Sequence, residues 1–190
     1  MDLKRILCYN KYIISKGLIF LNKDTAKKNT LKVLKPFAKL RSYTVLSDID
    51  LEFKNKTAHI DHLLIAPFGV MFFSCLTLKK GEIFGSKEDS MWTVVTKTDR
   101  TKVKNPYLEN ENNNAIVREI FAKEQVYKIG FENTVIIDCP KKDVQIQAPV
   151  EALNILTPKE LKKQLKRARY ETDNGCDVKK ITESIKKYEK

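Results

Sequence analysis

Hydrophobic and polar residues follow two different periods in the first half of the chain. Between residues 25 and 40, apolar side chains recur every three to four positions, which predicts a helix that Pro36 kinks or ends. Residues 43–53 alternate between apolar and polar side chains, and the apolar runs "TAHIDHLLIAP" and "VMFFSCLTL" follow across short turns. With two more short strands in "GEIFGS" and "MWTVVTK", this half predicts a meander of about five strands.

The helical period returns after residue 106. Apolar positions from about residue 107 to 128 predict a helix that Gly130 ends, and the apolar segment 133–138 predicts a strand buried on both faces. The segment "VQIQAP" is a second candidate strand. Thr157, Pro158 and Glu160 have the spacing of a capping box, which predicts a helix start, and residues 177–190 predict a last amphipathic helix. This order predicts an α/β fold with a mixed β-sheet flanked by helices.

Positive charge is concentrated at the two ends of the chain. The formal net charge is +12 over 190 residues; residues 1–41 hold eleven Lys and Arg against two Asp, and residues 159–190 hold eleven against six acidic residues. Such a field attracts phosphate polymers, so nucleic acid is a candidate partner; on charge alone, a merely solvated lysine-rich surface is supported equally. The apolar stretch 6–21 contains Lys11 and Lys16 and is too short for a transmembrane segment, and we expect no peripheral membrane contact.

Several kinds of site are disfavoured by the residues that the chain lacks. The four cysteines form no C-x-x-C pair and there are two histidines, which excludes the usual zinc patterns and agrees with a reduced, cytoplasmic compartment. There is no nucleophile-elbow motif, and the six glycines are spread singly, so that no glycine-rich phosphate loop is predicted.

Seven segments occur in an order that resembles the nuclease-related domain (NERD) family. They are "YTVLSDIDL", "AHIDHLLIAPFGVMFF", "GEIFGS", "MW", "NPYLEN", "NTVIID" and "ILTPKEL". The resemblance covers roughly residues 25–168 and implies the restriction-endonuclease-like core of the PD-(D/E)xK superfamily. It suggests an N-terminal apolar and basic helical segment (1–23), a NERD-like domain (24–169) and a C-terminal basic helix (170–190).

The resemblance also implies a metal-dependent chemistry in which most of the functional positions are altered here. The family's carboxylates on neighbouring strands would hold Mg²⁺, and a Lys two residues beyond a Glu would orient water. Asp61 matches the family's Asp. Ser74 and Leu76 stand where Glu and Lys are expected, and a register shifted by one offers Cys75 and Thr77 instead.

The first helix and the "NP" segment also depart from the family pattern. The helix region that usually carries a Glu reads "AKKN", with Lys27, Lys28 and Asn29, and the Gln expected after "NP" is Glu109. Asp61 alone is a weak metal site, and His59 on the same strand face adds only a second ligand. We therefore expect a degenerate site and no cofactor, with Mg²⁺ needed only if the protein is active.

Three functions remain open from the sequence. The first is a degenerate NERD domain that binds DNA or RNA without cleaving it; the candidate contacts are Lys27, Lys28, Lys32, Lys79, Lys80, Lys97, Arg100, Lys102 and Lys104, with residues 97–106 forming a basic loop. The second is an active Mg²⁺-dependent nuclease that combines Asp61 with Glu82 or Glu109 and uses Lys79. The third is a protein-interaction scaffold whose N-terminal segment and C-terminal helix bind a protein partner. Phe72, Phe73 and Trp92 are expected to be core residues.

Overall fold

The computed structural model describes residues 23–139, 144–147 and 154–190. The predicted N-terminal apolar segment therefore lies outside the described residues. Four α-helices and nine strands are described, in this order: α1 (Lys23–Arg41), β1 (Thr44–Phe53), β2 (Lys56–Ala66), β3 (Gly69–Thr77), β4 (Gly81–Phe84), β5 (Met91–Val95), β6 (Arg100–Lys104), α2 (Pro106–Lys123), β7 (Phe131–Asp138), β8 (Val144–Gln147), β9 (Ile155–Leu156), α3 (Pro158–Gln164) and α4 (Val178–Lys186). A 3₁₀ turn (Ala168–Tyr170) follows α3. Within this part of the chain, no helix is both long and apolar enough to span a membrane.

The strands form two sheets, whereas the sequence predicted one meander. The first sheet has the order β1-β2-β3-β7-β9, with β1, β2 and β3 antiparallel and β7 and β9 added in parallel; the second has the order β6-β5-β4-β8. The physical reason lies in β3, which is buried along its whole length and pairs on its second edge with the apolar strand β7. The chain after β3 must therefore leave this sheet. The predicted mixed α/β fold is confirmed.

Helices cover both faces of the first sheet. Met71, Phe73 and Cys75 of β3 pack with α1, while Val70 and Phe72 pack with α2 and α4. On the side of the sheet that α2 and α4 cover, α4 contributes the fully buried Ile181 and Ile185 to the core. Helix α2 contributes four residues to the same core, Ile116, Val117, Ile120 and Phe121. Alternation along β3 thus decides which helix each side chain touches.

The first helix continues through Pro36 instead of ending there. Leu34 and Ala38 are buried on either side of the exposed Pro36, so the docking of this face on the sheet outweighs the lost backbone hydrogen bond. Helix α2 ends at Lys123, earlier than predicted, because Gln125 adopts a left-handed conformation with a φ of 54°. The capping box of Thr157 and Glu160 is confirmed at the start of α3.

Trp92 is the centre of the second sheet's core. Gly81, which begins β4, and Gly85, which follows it, lie so close to neighbouring atoms that a side chain would not fit. Trp92 is fully buried, and its indole N–H donates to the Ser86 carbonyl at 2.9 Å. A Cβ on Gly85 would lie 2.2 Å from the Trp92 ring, and one on Gly81, which has a φ of 122°, would lie 2.4 Å from the Val95 carbonyl oxygen. The spacing of the two glycines in "GEIFGS" therefore has a packing reason. Phe72 and Phe73 are core residues too, as expected.

Candidate functional site

Asp61 lies in the middle of β2, with its carboxylate directed to the α1 face of the first sheet. The residue is 3% exposed, and its Oδ2 accepts a hydrogen bond from the Cys75 backbone N–H at 2.8 Å. Its Oδ1 is buried and has no well-aligned hydrogen bond. An ionised carboxylate at such a place requires compensating positive charge.

Two lysines of α1 supply that charge. The Lys27 Nζ lies 3.0 Å from Asp61 Oδ1, an ion pair that lacks ideal hydrogen-bond angles, and Lys27 also pairs closely with Asp48. The Lys27 side chain is only 16% exposed. Lys23 Nζ lies 3.8 Å from Asp61 Oδ2 and 3.5 Å from Glu109 Oε2, which links Glu109 to the edge of the same group.

A histidine completes the cluster. His59 Nε2 lies 3.5 Å from Asp61 Oδ1 and from Lys27 Nζ, and the other ring nitrogen, Nδ1, lies 2.8 Å from an Asp50 carboxylate oxygen. Asp50 thereby fixes the orientation of the ring. We call Lys27, Asp48, His59 and Asp61 the Asp61 cluster.

Asp48 enters the cluster through an unusual backbone conformation. In the β1–β2 register Ser47 opposes His62 and Ile49 opposes Ile60, which places Asp48 opposite Asp61. Asp48 has a φ of 53°, in the left-handed region that non-glycine residues seldom adopt. Such strain persists where the surroundings enforce it, and the Lys27 ion pair is one such contact.

The surroundings shift the pKa values of Asp61, His59 and Lys27. Burial disfavours the Asp61 carboxylate, but the nearby His59 ring, Lys23, the Cys75 N–H and Lys27 together lower its pKa. The pKa of His59 is raised by Asp61 first and by Asp50, against the effect of burial. Burial opposes the Lys27 ammonium as well, but Asp48 and Asp61 outweigh it and raise the pKa of Lys27.

The structure decides between the two registers considered for β3. Ser74 points to the α2 face, where its hydroxyl donates to Asn110 at 2.9 Å. Cys75 and Thr77 are on the α1 face with Asp61; Cys75 contacts Thr30, and the Thr77 hydroxyl accepts from the Ala26 N–H at 3.0 Å. Burial raises the pKa of the Cys75 thiol to about 12, so it stays protonated. Neither residue is an acid or a base at neutral pH.

The acids proposed as replacements lie outside the Asp61 cluster. Glu82 is in β4 of the second sheet, opposite Val95, and Glu109 is reached from Asp61 only through Lys23. Lys79 follows the end of β3, exposed, beside the exposed Lys80.

The donor atoms of the cluster do not fit the Mg²⁺ that the family chemistry implies. Asp48, His59 and Asp61 each offer one donor atom, and these atoms lie within 4.8 Å of one another. Mg²⁺ prefers six oxygen ligands, yet one of these donors is an imidazole nitrogen. The Lys27 ammonium, moreover, already lies beside all three groups. These residues therefore do not form a Mg²⁺ site.

Apart from Lys79 and Lys80, which follow β3, the predicted basic residues form two groups, one on α1 and one at β6. On α1, Lys28 and Lys32 are exposed and continue as a row with Lys35 and Lys39, at spacings of four, three and four residues, which is one face of a helix. We call these four residues the α1 lysine row. Lys27, in contrast, points into the Asp61 cluster.

The second basic group lies mainly on strand β6, whereas the sequence predicted that residues 97–106 form a loop. Arg100, Lys102 and Lys104 alternate along the exposed face of β6, the edge strand of the second sheet, and Lys97 lies in the preceding turn. The reason is that β5 pairs with this segment along its whole length, and Val103 packs against the buried residues around Trp92. Lysines on an edge strand also prevent edge-to-edge pairing, which gives this group a structural role.

Asp48 and Asp50 were not singled out from the sequence. Their signal was the "SDID" segment, in which two acids are spaced to share one strand face before the "AHIDH" strand. A hairpin between these segments brings them opposite Asp61 and His59. Lys35 and Lys39 were not singled out either; their signal was the spacing of four, three and four residues that places them on one helix face with Lys28 and Lys32.

Comparison with protein families identifies the chain. The family model described as "Nuclease-related domain" matches residues 23–138, more than half of the 190 residues. Comparisons with curated proteins and with solved structures gave no match. The matched segment runs from the start of α1 to the end of β7 and contains both the Asp61 cluster and the α1 lysine row. The resemblance seen in the sequence is confirmed: the chain belongs to the nuclease-related domain family.

Proposed function

We propose that this protein is a degenerate member of the nuclease-related domain family that binds DNA or RNA and does not cleave it. The observation that carries the proposal is the α1 lysine row. Three of its members, Lys28, Lys35 and Lys39, have no ion-pair partner among the residues that the structure describes, and the Lys32 ammonium donates a hydrogen bond to Asn29 Oδ1 at 3.4 Å.

The dimensions of the row match an extended polyanion. A span of eleven residues along an α-helix is about 16 Å. Duplex DNA carries about one phosphate charge per 1.7 Å of axis, so several phosphates face a row of this length. Unpaired lysines that release counterions on binding give an affinity that decreases steeply with salt.

The expected lack of cleavage rests on the residues around Asp61. Phosphodiester hydrolysis by this family's chemistry needs several carboxylates and a lysine that orients water. On the side of β3 that faces Asp61 stand Cys75 and Thr77, and the helix position of the family's Glu is occupied by "AKKN", from which Lys27 reaches Asp61. The site is therefore suited to holding charge and poorly suited to activating water.

The test compares two charge-matched variants. One replaces the α1 lysine row by Gln (Lys28, Lys32, Lys35, Lys39). The other replaces four exposed lysines of the α4 region, on the opposite face of the first sheet, by Gln (Lys179, Lys180, Lys186, Lys187). Binding of labelled single- and double-stranded DNA and RNA is measured by fluorescence anisotropy at several salt concentrations, with and without Mg²⁺ or Mn²⁺.

We expect wild-type binding to weaken with salt and no substrate to be cut. The row variant should bind at least about tenfold more weakly and show a salt slope smaller by about 2–4, while the α4 variant should stay close to wild type. Equal losses in the two variants would mean that net charge alone drives binding. Absence of binding would remove nucleic acid as the ligand and favour a protein partner.

Active cleavage is the second candidate, favoured by the position of Glu109. Its carboxylate is joined to Asp61 through Lys23, so a small rearrangement of that lysine would bring two acids to one place. The same samples test it: cutting that requires Mg²⁺ or Mn²⁺ and disappears in Asp61→Ala would establish a nuclease with rearranged ligands.

A further inference from the structure

We propose that the Lys27 ammonium is a permanent, tethered cation that replaces the divalent metal at the Asp61 cluster, so that this protein takes no metal there. The inference deepens the proposed function and rests on it for the expectation that no catalytic metal is required. Its evidence is the geometry of the cluster.

The ammonium lies where the donor atoms converge. Lys27 Nζ is 3.0 Å from Asp61 Oδ1, pairs closely with Asp48 and is 3.5 Å from His59 Nε2. These are the three groups whose donor atoms lie within 4.8 Å of one another. A cation bound by these groups would therefore compete with the ammonium for the same oxygens and nitrogen.

The cluster requires a cation of some kind. The Asp61 side chain is 2% exposed, and its Oδ1 has no aligned hydrogen bond from any described residue. Leaving a buried carboxylate without a nearby positive charge is strongly unfavourable. The Lys27 ammonium provides that charge at 3.0 Å from Oδ1, supported by Lys23 at 3.8 Å from Oδ2, without the geometric demands of a metal.

The backbone holds Lys27 in position from both sides. The Ala26 N–H donates to the buried Thr77 hydroxyl of β3 at 3.0 Å. The Lys27 carbonyl accepts from His62 Nε2 at 3.0 Å, and a carbonyl can only accept, so the proton is on Nε2 and the Ser47 hydroxyl donates to Nδ1 at 3.0 Å. The fully packed His62 thus fixes the helix turn from which the ammonium reaches Asp61.

The consequence is chemical. A divalent ion binds water as a ligand and lowers its pKa, whereas an ammonium has no vacant coordination position and activates no water. The lysine therefore supplies positive charge to the Asp61 carboxylate without the hydrolytic chemistry of a metal-bound water.

The experiment measures the melting temperature of tag-free protein with EDTA, MgCl₂, MnCl₂ or NiCl₂, in the absence of nucleic acid. The variants are Lys27→Ala, which removes the ammonium and leaves space, and Lys27→Ala combined with Asp61→Asn, which removes both charges. Lys28→Ala, the exposed neighbour on the same helix, is the matched control. Isothermal titration of the wild type with MnCl₂ and NiCl₂ gives an independent measure of metal binding.

We expect no metal response from the wild type or from Lys28→Ala. Lys27→Ala should melt about 5–10 °C lower in EDTA and recover several degrees in millimolar metal, since the added ion restores the missing charge. The double variant should be more stable than Lys27→Ala in EDTA and should not respond to metal.

Four results would overturn the proposal. They are micromolar binding of Mn²⁺ or Ni²⁺ by the wild type, an unchanged melting temperature in Lys27→Ala, a destabilised Lys27→Ala that no metal restores, and a double variant no more stable than the single one. If Lys27→Ala does not fold, the double variant and the wild-type titration still decide. Because nucleic acid is absent, failure here leaves the binding proposal standing, and loss of nucleic-acid binding leaves this proposal standing.

Discussion

At the scale of single residues, the buried carboxylate of Asp61 is the centre of the site. Its two oxygens have different partners. Oδ2 accepts a hydrogen bond from the Cys75 N–H at 2.8 Å, while Oδ1 forms ion-pair contacts with Lys27 at 3.0 Å and His59 at 3.5 Å. Charge rather than hydrogen-bond alignment compensates for the burial of Oδ1, and that makes the cluster sensitive to the loss of any one charged member.

Removing the Asp61 carboxylate should destabilise the fold. Asp61→Ala leaves the Cys75 N–H without its acceptor and Lys27 with Asp48 as its remaining acidic partner. We expect the free energy of unfolding to fall by about 2–4 kcal/mol in urea denaturation. Asp50→Ala is the control, because the Asp50 side chain is 63% exposed and should cost less than about 1 kcal/mol. Equal effects of the two substitutions would contradict this account.

The pKa values of the two histidines should be shifted in opposite directions from the ordinary value of 6.5. Asp61, and then Asp50, raise the pKa of His59, while burial lowers the pKa of His62. Proton NMR of the imidazole signals measures both, and His59→Gln assigns them because the chain has two histidines. Asp61→Asn should move the pKa of His59 down.

These shifts have opposite effects on stability. His59 stabilises the fold at pH values below 6.5, and this contribution disappears as the pH rises through its raised folded pKa. For His62 the unfolded chain takes up the proton first, so stability decreases as the pH falls below 6.5 toward the lowered folded pKa. A His62 signal that titrates above 6.5 would show that the ring is not held neutral against the Lys27 carbonyl.

At the scale of secondary-structure elements, Asn105 joins the second sheet to α2. Its Oδ1 accepts from the Tyr107 and Leu108 N–H groups and caps the helix. Its Nδ2 faces the carbonyl oxygens of Ser86, Lys87 and Asp89 at 2.8–3.2 Å. The "NP" segment of the family pattern therefore has a structural role in this chain, since one buried amide fixes a helix start and a loop.

Asn105 should not tolerate Asp, although the two residues cap helices equally well. Asn105→Asp keeps the capping oxygen but directs a carboxylate oxygen at three carbonyl oxygens, so we expect a loss of stability at least as large as the about 2–4 kcal/mol expected for Asn105→Ala. Asn112→Ala, exposed on α2, is the control. Thermal and urea unfolding measure the difference; an Asp variant as stable as wild type would mean that capping alone explains the residue.

At the scale of the whole molecule, the two helical layers have different roles. The layer of α1 carries the lysine row outward and Lys27 inward, while α4 packs on β1, β2 and α2. The apolar face of α4 is buried in the core. If this helix binds a protein partner, as the scaffold hypothesis holds, its charged surface must therefore make the contact.

Removing α4 should therefore disrupt the fold. A chain ending at residue 176 loses the fully buried Ile181 and Ile185 and exposes the neighbouring Ile49, Leu51 and Phe53. We expect loss of cooperative unfolding and a strong increase in binding of a hydrophobic dye. The single variant Ile185→Ala should cost about 2–4 kcal/mol, against a negligible cost for Lys186→Ala. A truncated chain with wild-type stability would assign α4 to the surface.

The sequence by itself determined the fold class and the family, and it singled out Asp61 as a candidate site residue. Apolar periodicity identified the main helices and most strands because each element buries one face, and the capping box at Thr157 marked a helix start through local hydrogen bonds alone. These features depend on neighbours along the chain, which is why they can be read without the tertiary structure.

Only the tertiary structure decided how the elements meet. Parallel pairing of β3 with the distant β7 divided the strands into two sheets, and the hairpin register placed Asp48 and His59 around Asp61. Whether Lys27 faces solvent or Asp61 depended on how α1 docks against Thr77 and His62. Those contacts join residues 35–51 positions apart in sequence, and no local pattern specifies them.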